Sequence, residues 1–394
     1  MNAGKAERFP GMQLEFATTS RIIFRPGAVA DLPNIAREFG TGALLVTGRN
    51  RTRASPLAAN LQHAGIEVSI FAVDTEPTLE IVRAGVHRAR HACDLVIGFG
   101  GGSAIDAGKA IAALVTNSGE PLDYLEIIGQ GRPLEREPLP FIAVPTTAGT
   151  GAEVTRNAVL GSSQHGVKAS LRSPLMLPKV ALIDPHLTLN LPPEITASTG
   201  LDALTQLIEP YVSNRANPLT DLFCIEGLKR VPASLVRAWR HGGDHQARES
   251  MSFASLLGGL ALANAALGVV HGFAAPLGAM LQASHGALCA AVLPEAMAIN
   301  IQALGRRAPE HEALRRYRDI ARILTDDSTA EPEGGVNWVA ALCQQLSIAP
   351  LRAHGLEPQQ IPALVEKAAQ ANSMKGNPIP LTTQELTEIV RRAL

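Results

Sequence analysis

The sequence predicts two architectures in tandem: an α/β half with a mostly parallel sheet over residues 1–190, and an all-α half over residues 191–394. Three observations predict it. Short β-rich runs alternate with helical stretches up to about residue 190, which is the pattern of βαβ units. One of these runs passes directly through a glycine turn into a helix. Beyond Leu191-Pro192-Pro193 the pattern changes to long Ala- and Leu-rich stretches at helical period, with no convincing strand among them.

Taken in order, the expected strands are residues 21–24, 43–47, 67–73, 94–99, 141–144 and 180–183, with amphipathic helices over 54–64 and 79–91 between them. In the second half, helices are expected over 197–212, 218–239, 247–267, 314–324 and 336–346. No internal repeat or extended low-complexity segment interrupts this order.

A chain of 394 residues is long enough for two domains with full cores. Hydrophobic residues make up 46% and charged residues 18%, the balance of a well-buried globular protein with apolar surface left for an oligomer interface. The net charge of −1 argues against nucleic acid and against an anionic membrane surface as partners. The longest uncharged apolar stretch, residues 255–270, is rich in Ala and Gly and too short for a membrane span. The opening MNAGKAERFPGMQLEF has no apolar signal core, so a cytoplasmic protein is expected. Cys93, Cys224, Cys289 and Cys343 form no CxxC pair and read as structural thiols in a reducing compartment.

Two segments carry phosphate-binding chemistry. Residues 94–99 read as a buried strand, Gly100-Gly101-Gly102-Ser103 follow at once, and residues 104–111 read as a helix. That arrangement presents free backbone N–H groups and a positive dipole end to a pyrophosphate, and a Cβ on the turn would block the approach. A tight connection is the other reading, and the turn is not the GxGxxG of a first βα unit. After the strand at 141–144 comes Pro145-Thr146-Thr147-Ala148-Gly149-Thr150-Gly151, whose hydroxyls stand at a strand's C-terminal end, where open α/β sheets bind ligands. These threonines also suit the cap of a following helix.

A third constellation lies in the helical half. Asp202 and Gln206 are four apart and project from one helical face. His271 and His285 are 285 − 271 = 14 residues apart, and Pro276 with Gly278 is expected to divide the segment between them. Carboxylate and imidazole are ordinary ligands of Zn²⁺ or Fe²⁺, and an amide oxygen is a weaker one. Alone, the four also fit an exposed Asp and histidines whose hydrogen bonds are met elsewhere.

In this order, GGGSAIDAGKAIA, PTTAGTGAEVT, GLDALTQLIEPYVS and HGFAAPLGAMLQASHG resemble the iron-containing (group III) alcohol dehydrogenases, which have a dehydroquinate synthase-like fold. The resemblance runs from about Arg21 to Asn377-Pro378. It implies an N-terminal dinucleotide-binding domain, a helical metal- and substrate-binding domain, and a homodimer. By the same resemblance, Gly101, Gly102 and Ser103 take the pyrophosphate, and Thr146, Thr147 and Thr150 make further cofactor contacts. Asp106 matches the Asp of GGSxxD, and Lys168 stands where the family places a Lys near the cofactor. Asp202, His271 and His285 match three of four metal ligands and are the expected catalytic residues. Two positions depart from the family: Gln206 stands where it usually has His, and Ala275 where many members have a second His that assists proton transfer. GNPI at 376–379 replaces GNPR.

The expected activity is metal-dependent hydride transfer between nicotinamide C4 and a small alcohol or carbonyl. The alternatives are a maleylacetate-reductase-like oxo-acid reductase without metal, and a non-catalytic dinucleotide-binding relative. NADP is expected in preference to NAD. The strand at 43–47 ends in Gly48-Arg49-Asn50-Arg51, whereas NAD-preferring members tend to carry an Asp where Gly48 stands. Two guanidinium groups suit a phosphate dianion, although arginines at a strand end also simply face solvent.

Overall fold

The computed structural model describes residues 14–162 and 164–394. Residues 1–13, most of the stretch read above for a signal core, lie outside the described residues. The first half runs β1 (Arg21–Phe24), α1 (Leu32–Arg37), β2 (Gly42–Gly48), α2 (Ser55–His63), β3 (Glu67–Val73), α3 (Leu79–Ala89), β4 (Leu95–Gly100), α4 (Gly102–Thr116), β5 (Phe141–Pro145), β6 (Asn157–Ser162), β7 (Val167–Arg172) and β8 (Val180–Ile183). Six strands form one sheet in the order β1-β8-β5-β4-β2-β3, every neighbouring pair parallel. Leu44, Leu45 and Val46 of β2 and Leu95, Val96 and Ile97 of β4 are fully buried. Burial on both faces is what a central parallel strand flanked by helices requires, and it explains these near-continuous apolar runs.

Every expected strand is present within a residue of its expected bounds. The β6–β7 antiparallel hairpin was not expected. Its inward-facing residues are small in number and size (Ala158, Leu160, Ala169 and Leu171), and the positions between them are polar, glycine or exposed. Such a strand is held by what it packs against more than by propensity.

The second half is helical: α5 (Pro193–Val212), α6 (Pro218–Arg240), α7 (His245–Ala265), α8 (Val269–Met280), α9 (His285–Arg307), α10 (Glu312–Thr325), α11 (Pro332–Gln345), α12 (Ile361–Ala369) and α13 (Thr383–Ala393). α9 is the one described helix long and apolar enough to cross a membrane, and it is mostly buried, packed by α5, α8, α11 and α13. One expectation needs correcting: Pro276 and Gly278 do not break the chain. Both lie inside α8, and the division falls between Met280 and His285. Gly278 serves a close approach instead, since a Cβ there would lie 2.5 Å from Lys168 Nζ.

The two halves meet along the C-terminal edge of the sheet. Gly151 (φ 58°) and Gly259 of α7 touch backbone to backbone, each leaving no room for a Cβ on the other. α8 packs on β7 in the same seam.

Candidate active site

α5 is buried along almost its whole length, so its polar residues demand an explanation. Asp202, Gln206 and Glu209 form a stripe at i, i+4 and i+7 on this helix, all buried. α8 brings His271 to the stripe, and the first residue of α9 brings His285. Gly286 makes that approach feasible, because a Cβ there would fall 2.2 Å from Ser198 O of α5.

His271 Nε2 lies 3.5 Å and His285 Nε2 lies 3.7 Å from Asp202 Oδ1, too far for good hydrogen bonds. Cys289, one turn along α9, places Sγ 3.6 Å from His285 Nε2. Asp202 Oδ1, Gln206 Oε1 and His271 Nε2 are buried with no hydrogen-bond partner among the described residues. Asp202 Oδ1 and His271 Nε2 lie 3.5 Å apart and face one space, and each such atom costs about 1–3 kcal/mol if nothing answers it. A divalent cation answers both, so the donor set fits one.

Glu209 fixes the cluster from behind. His271 Nδ1–H donates to Glu209 Oε2 at 2.6 Å, and Val270 N–H donates to Oε1 at 2.7 Å. When the ring is neutral, as a metal ligand must be, this bond keeps the proton on Nδ1 and the lone pair on Nε2, the usual carboxylate–histidine support of a metal ligand. Burial works against a charged His271 ring, but the carboxylates of Asp202 and Glu209 push it up to about 9. Burial would raise the Asp202 carboxyl, yet the His285 and His271 rings and the Gln206 amide hold it below its ordinary value. His285, more open than the others, is lowered by its packed surroundings and by His271 and Lys168, against the pull of Asp202.

The dinucleotide-side residues gather at the sheet edge beside this cluster. β2 runs out to β3 on one side, and the chain returns to place β4 on the other, so a switch point opens between the C-terminal ends of β2 and β4. Gly48 ends β2, and Gly101 caps α4 without a side-chain hydrogen bond to the N–H groups of its first turn. Thr147 and Thr150 stand over Gly101 and Gly102, and Thr146 N–H bonds Gly100 O. Thr150 Oγ1 also accepts from the N–H of Ala152, the first residue of a 3-10 turn whose cap is Gly151. Arg49 and Arg51 are exposed, with no carboxylate partner among the described residues. Lys168 reaches from β7 toward α8 and pairs with Glu76. Asp106 is engaged by Val159 N–H at 3.0 Å and by the buried Lys109 at 3.2 Å.

Residues 19–185 match the family model described as iron-containing alcohol dehydrogenase, and residues 196–394 match the model of the C-terminal part of the Fe-containing alcohol dehydrogenase family. The chain belongs to the iron-containing alcohol dehydrogenase family. It is 36% identical over 368 residues to 1,3-propanediol dehydrogenase of Klebsiella pneumoniae, covering 90% of this chain and 92% of that protein. A crystal structure of 1,3-propanediol oxidoreductase superposes with TM-score 0.89 at 33% identity, over 97% of this chain and 100% of that one. Sulfoacetaldehyde reductase from Bifidobacterium kashiwanohense, in complex with NAD⁺, superposes with TM-score 0.85 at 29% identity, over 97% and 98%. The protein is therefore an oxidoreductase acting on CH–OH groups.

Within this alcohol dehydrogenase, Ala275 sits one turn beyond His271 on α8 and offers no titratable atom. The Ile379 of GNPI is buried in the helical core, while Asn377 bonds Asn300, Ile379 O and Val269 N–H to pin the start of α8. Sequence reasoning missed Glu209 and Cys289. The i, i+4, i+7 stripe on an apolar helix was a signal for Glu209, and the i+4 spacing from His285 was a signal for Cys289.

Proposed function

We propose that the protein is a metal-dependent, NADP(H)-preferring alcohol dehydrogenase or aldehyde/ketone reductase for a small alcohol or carbonyl substrate. The observation that carries this reading is the set of buried, unpartnered donor atoms of Asp202, Gln206 and His271 beside the open N-terminus of α4. When bound, the cation, Fe²⁺ or Zn²⁺, supplies Lewis acidity toward an alcohol or carbonyl oxygen, and the nicotinamide gives or takes the hydride.

The division of labour falls near residue 190. Asp202, Gln206, His271 and His285 are the metal-side residues, with Glu209 orienting His271. Gly101, Gly102 and Ser103 offer N–H groups to the pyrophosphate, and Thr146, Thr147 and Thr150 offer hydroxyls beside them. Asp106 and Lys168 border this edge, Asp106 holding the β6 hairpin and Lys168 carrying positive charge into the seam. Gly48, Arg49 and Arg51 receive the adenosine ribose and its 2′-phosphate. Because Ala275 cannot hold a proton, the substrate proton leaves through water or the cofactor ribose hydroxyls. The molecule is read as a homodimer, which light scattering checks.

The test is aldehyde reduction with each reduced cofactor, before and after exhaustive chelation. The expected result is turnover that is lost on chelation, is restored by metal, and is faster with NADPH. Full activity without metal would favour the oxo-acid reductase reading, and cofactor binding without turnover the non-catalytic one. A Cβ at Gly48 meets nothing within 4 Å, so Gly48→Asp tests cofactor choice without a steric penalty. It is expected to abolish the NADPH preference. A parent enzyme preferring NADH by about tenfold, ~1.4 kcal/mol, would sink this part.

A further inference from the structure

The metal cluster contains one donor more than the four-residue set above accounts for. Ligand atoms of Asp202, His271, His285 and Cys289 all lie within 4.8 Å of one another. Metal bonds of about 2.0–2.3 Å at tetrahedral angles put donor atoms about 3.3–3.8 Å apart. The three separations given above, 3.5 Å, 3.7 Å and 3.6 Å, fall in that range, the last being the one that involves sulfur. Cys289 is fully buried, and its place one turn after His285 sets both side chains on the same face of α9. Asp202 Oδ1 and His271 Nε2, both more than nine-tenths buried and unpartnered, point into the same space.

We infer that the Cys289 sulfur, and not the Gln206 amide, is the fourth protein ligand of the cation. The inference rests on the metal reading above and changes its ligand set. Gln206 Oε1 is the rival, since it too is buried and unpartnered. Ligand chemistry separates the two. An amide oxygen is neutral, hard and a weak donor to Zn²⁺ or Fe²⁺, whereas a cysteine sulfur binds as the thiolate and is a standard zinc ligand. On binding, the thiol releases its proton to solvent and the sulfur lone pair forms the metal bond. The loss of an imidazole at position 206 is then made good from the next helix, and the site takes on a softness that favours Zn²⁺ over Fe²⁺.

The test is spectroscopic. The enzyme is stripped of metal and reloaded with Co²⁺, one ion per chain. The expected result is a near-ultraviolet sulfur-to-cobalt charge-transfer band in the wild type. That band should be retained in Gln206→Ala and absent in Cys289→Ser. Cys289→Ser should also bind Co²⁺ more weakly by at least the roughly 10–100-fold that loss of a mere outer partner costs. Co²⁺ bound to the wild type without the band overturns the inference, as does a band that survives Cys289→Ser. Should Cys289→Ser fail to fold, Cys289→Ala is the second replacement, and loss of the band in either one assigns the sulfur to Cys289. A wild type that binds no Co²⁺ at all removes the metal reading, and this inference falls with it, a different result from bound Co²⁺ lacking sulfur.

Discussion

The glycine turn before α4, proposed to take the dinucleotide, and the Asp202–His271–His285 cluster, proposed to take the metal, are made of different material. The turn at Gly101–Ser103 offers backbone N–H groups and a helix end, so its main requirement as the proposed pyrophosphate site is the absence of side chains. The metal cluster is made of side chains from α5, α8 and α9, brought together across 285 − 202 = 83 residues. A backbone site has no substitute for its glycines and stays close to the family pattern, as it does here. A side-chain site can exchange one donor for another within reach. Gln206 is a departure of that kind, Ala275 is a loss without an exchange, and Cys289 stands where an exchange would draw on it.

The largest expected effects would break this comparison if they failed to separate. Asp202→Asn keeps the shape of the side chain and removes its charge, and His285→Ala acts at the most open ligand. Each should lower turnover on the order of 10³-fold, the rate equivalent of several kcal/mol of charge stabilisation. Metal content should fall with turnover, while NADPH affinity, followed by its fluorescence, stays near the parent value. Gly101→Val should do the reverse. Its Cβ clears the protein, with Thr147 Oγ1 nearest at 3.4 Å, but it enters the space in front of α4. Dinucleotide Kd should rise about 10–100-fold, about 1.4–2.8 kcal/mol, with metal content unchanged. If either lesion disables both functions, the two regions are one cooperative site.

The same difference in material governs what the sequence alone could show. The six parallel strands were readable because buried central strands are apolar runs between turns, and the phosphate turn because glycines in series leave a visible mark. The proposed metal ligands were suggested mainly by the order of four motifs, since no local pattern joins Asp202 to His285. Glu209 escaped because its contact with His271 depends on which helices meet, and the nearness of Cys289 to the cluster depends on the same packing. Pro276 and Gly278 misled for a related reason: both belong to a helix whose neighbours tolerate the proline and whose glycine makes room for Lys168. The β6–β7 hairpin was hidden by its mixed composition, although it carries Lys168 into the seam.

A smaller effect sharpens the comparison on the dinucleotide side, where a buried charge should be structural. Glu153 is buried beside the loop at 145–151, and loss of solvent pushes it up to about 7, against its own backbone N–H and the Lys109 charge. Its folded value lies above its ordinary 4.5. The linked stability is therefore present below about pH 4.5 and lost as pH rises through about 7. Glu153→Gln should remove that dependence and be more stable than the parent at pH 8 by about 1–3 kcal/mol, with KM for the cofactor unchanged. Thermal unfolding of both proteins from pH 5 to 8 checks it. Equal or lower stability of the variant at pH 8 would mean that Lys109 keeps Glu153 ionised as a working ion pair.

The smallest expected effect is at Ala275, and it asks whether the metal side needs the side chain that many relatives place there. Ala275 lies on the His271 face of α8, one turn on and half-buried, so a histidine introduced there would face the same seam. General acid–base help from a well-placed histidine is worth about 10²–10⁴-fold where proton transfer limits the rate. If water or the ribose hydroxyls already carry the proton, Ala275→His adds a group to a step that is not limiting. Turnover should then stay within about twofold of the parent, less than 0.5 kcal/mol, with the same pH profile. A new imidazole could also compete for the cation, so metal content must be shown equal before the rates are compared. A gain of about tenfold or more, with a new inflection in the pH profile, would show that proton transfer limits the parent enzyme. The metal-facing cluster would then be short of a part at Ala275, and its tolerance for exchange would stop at the ligands.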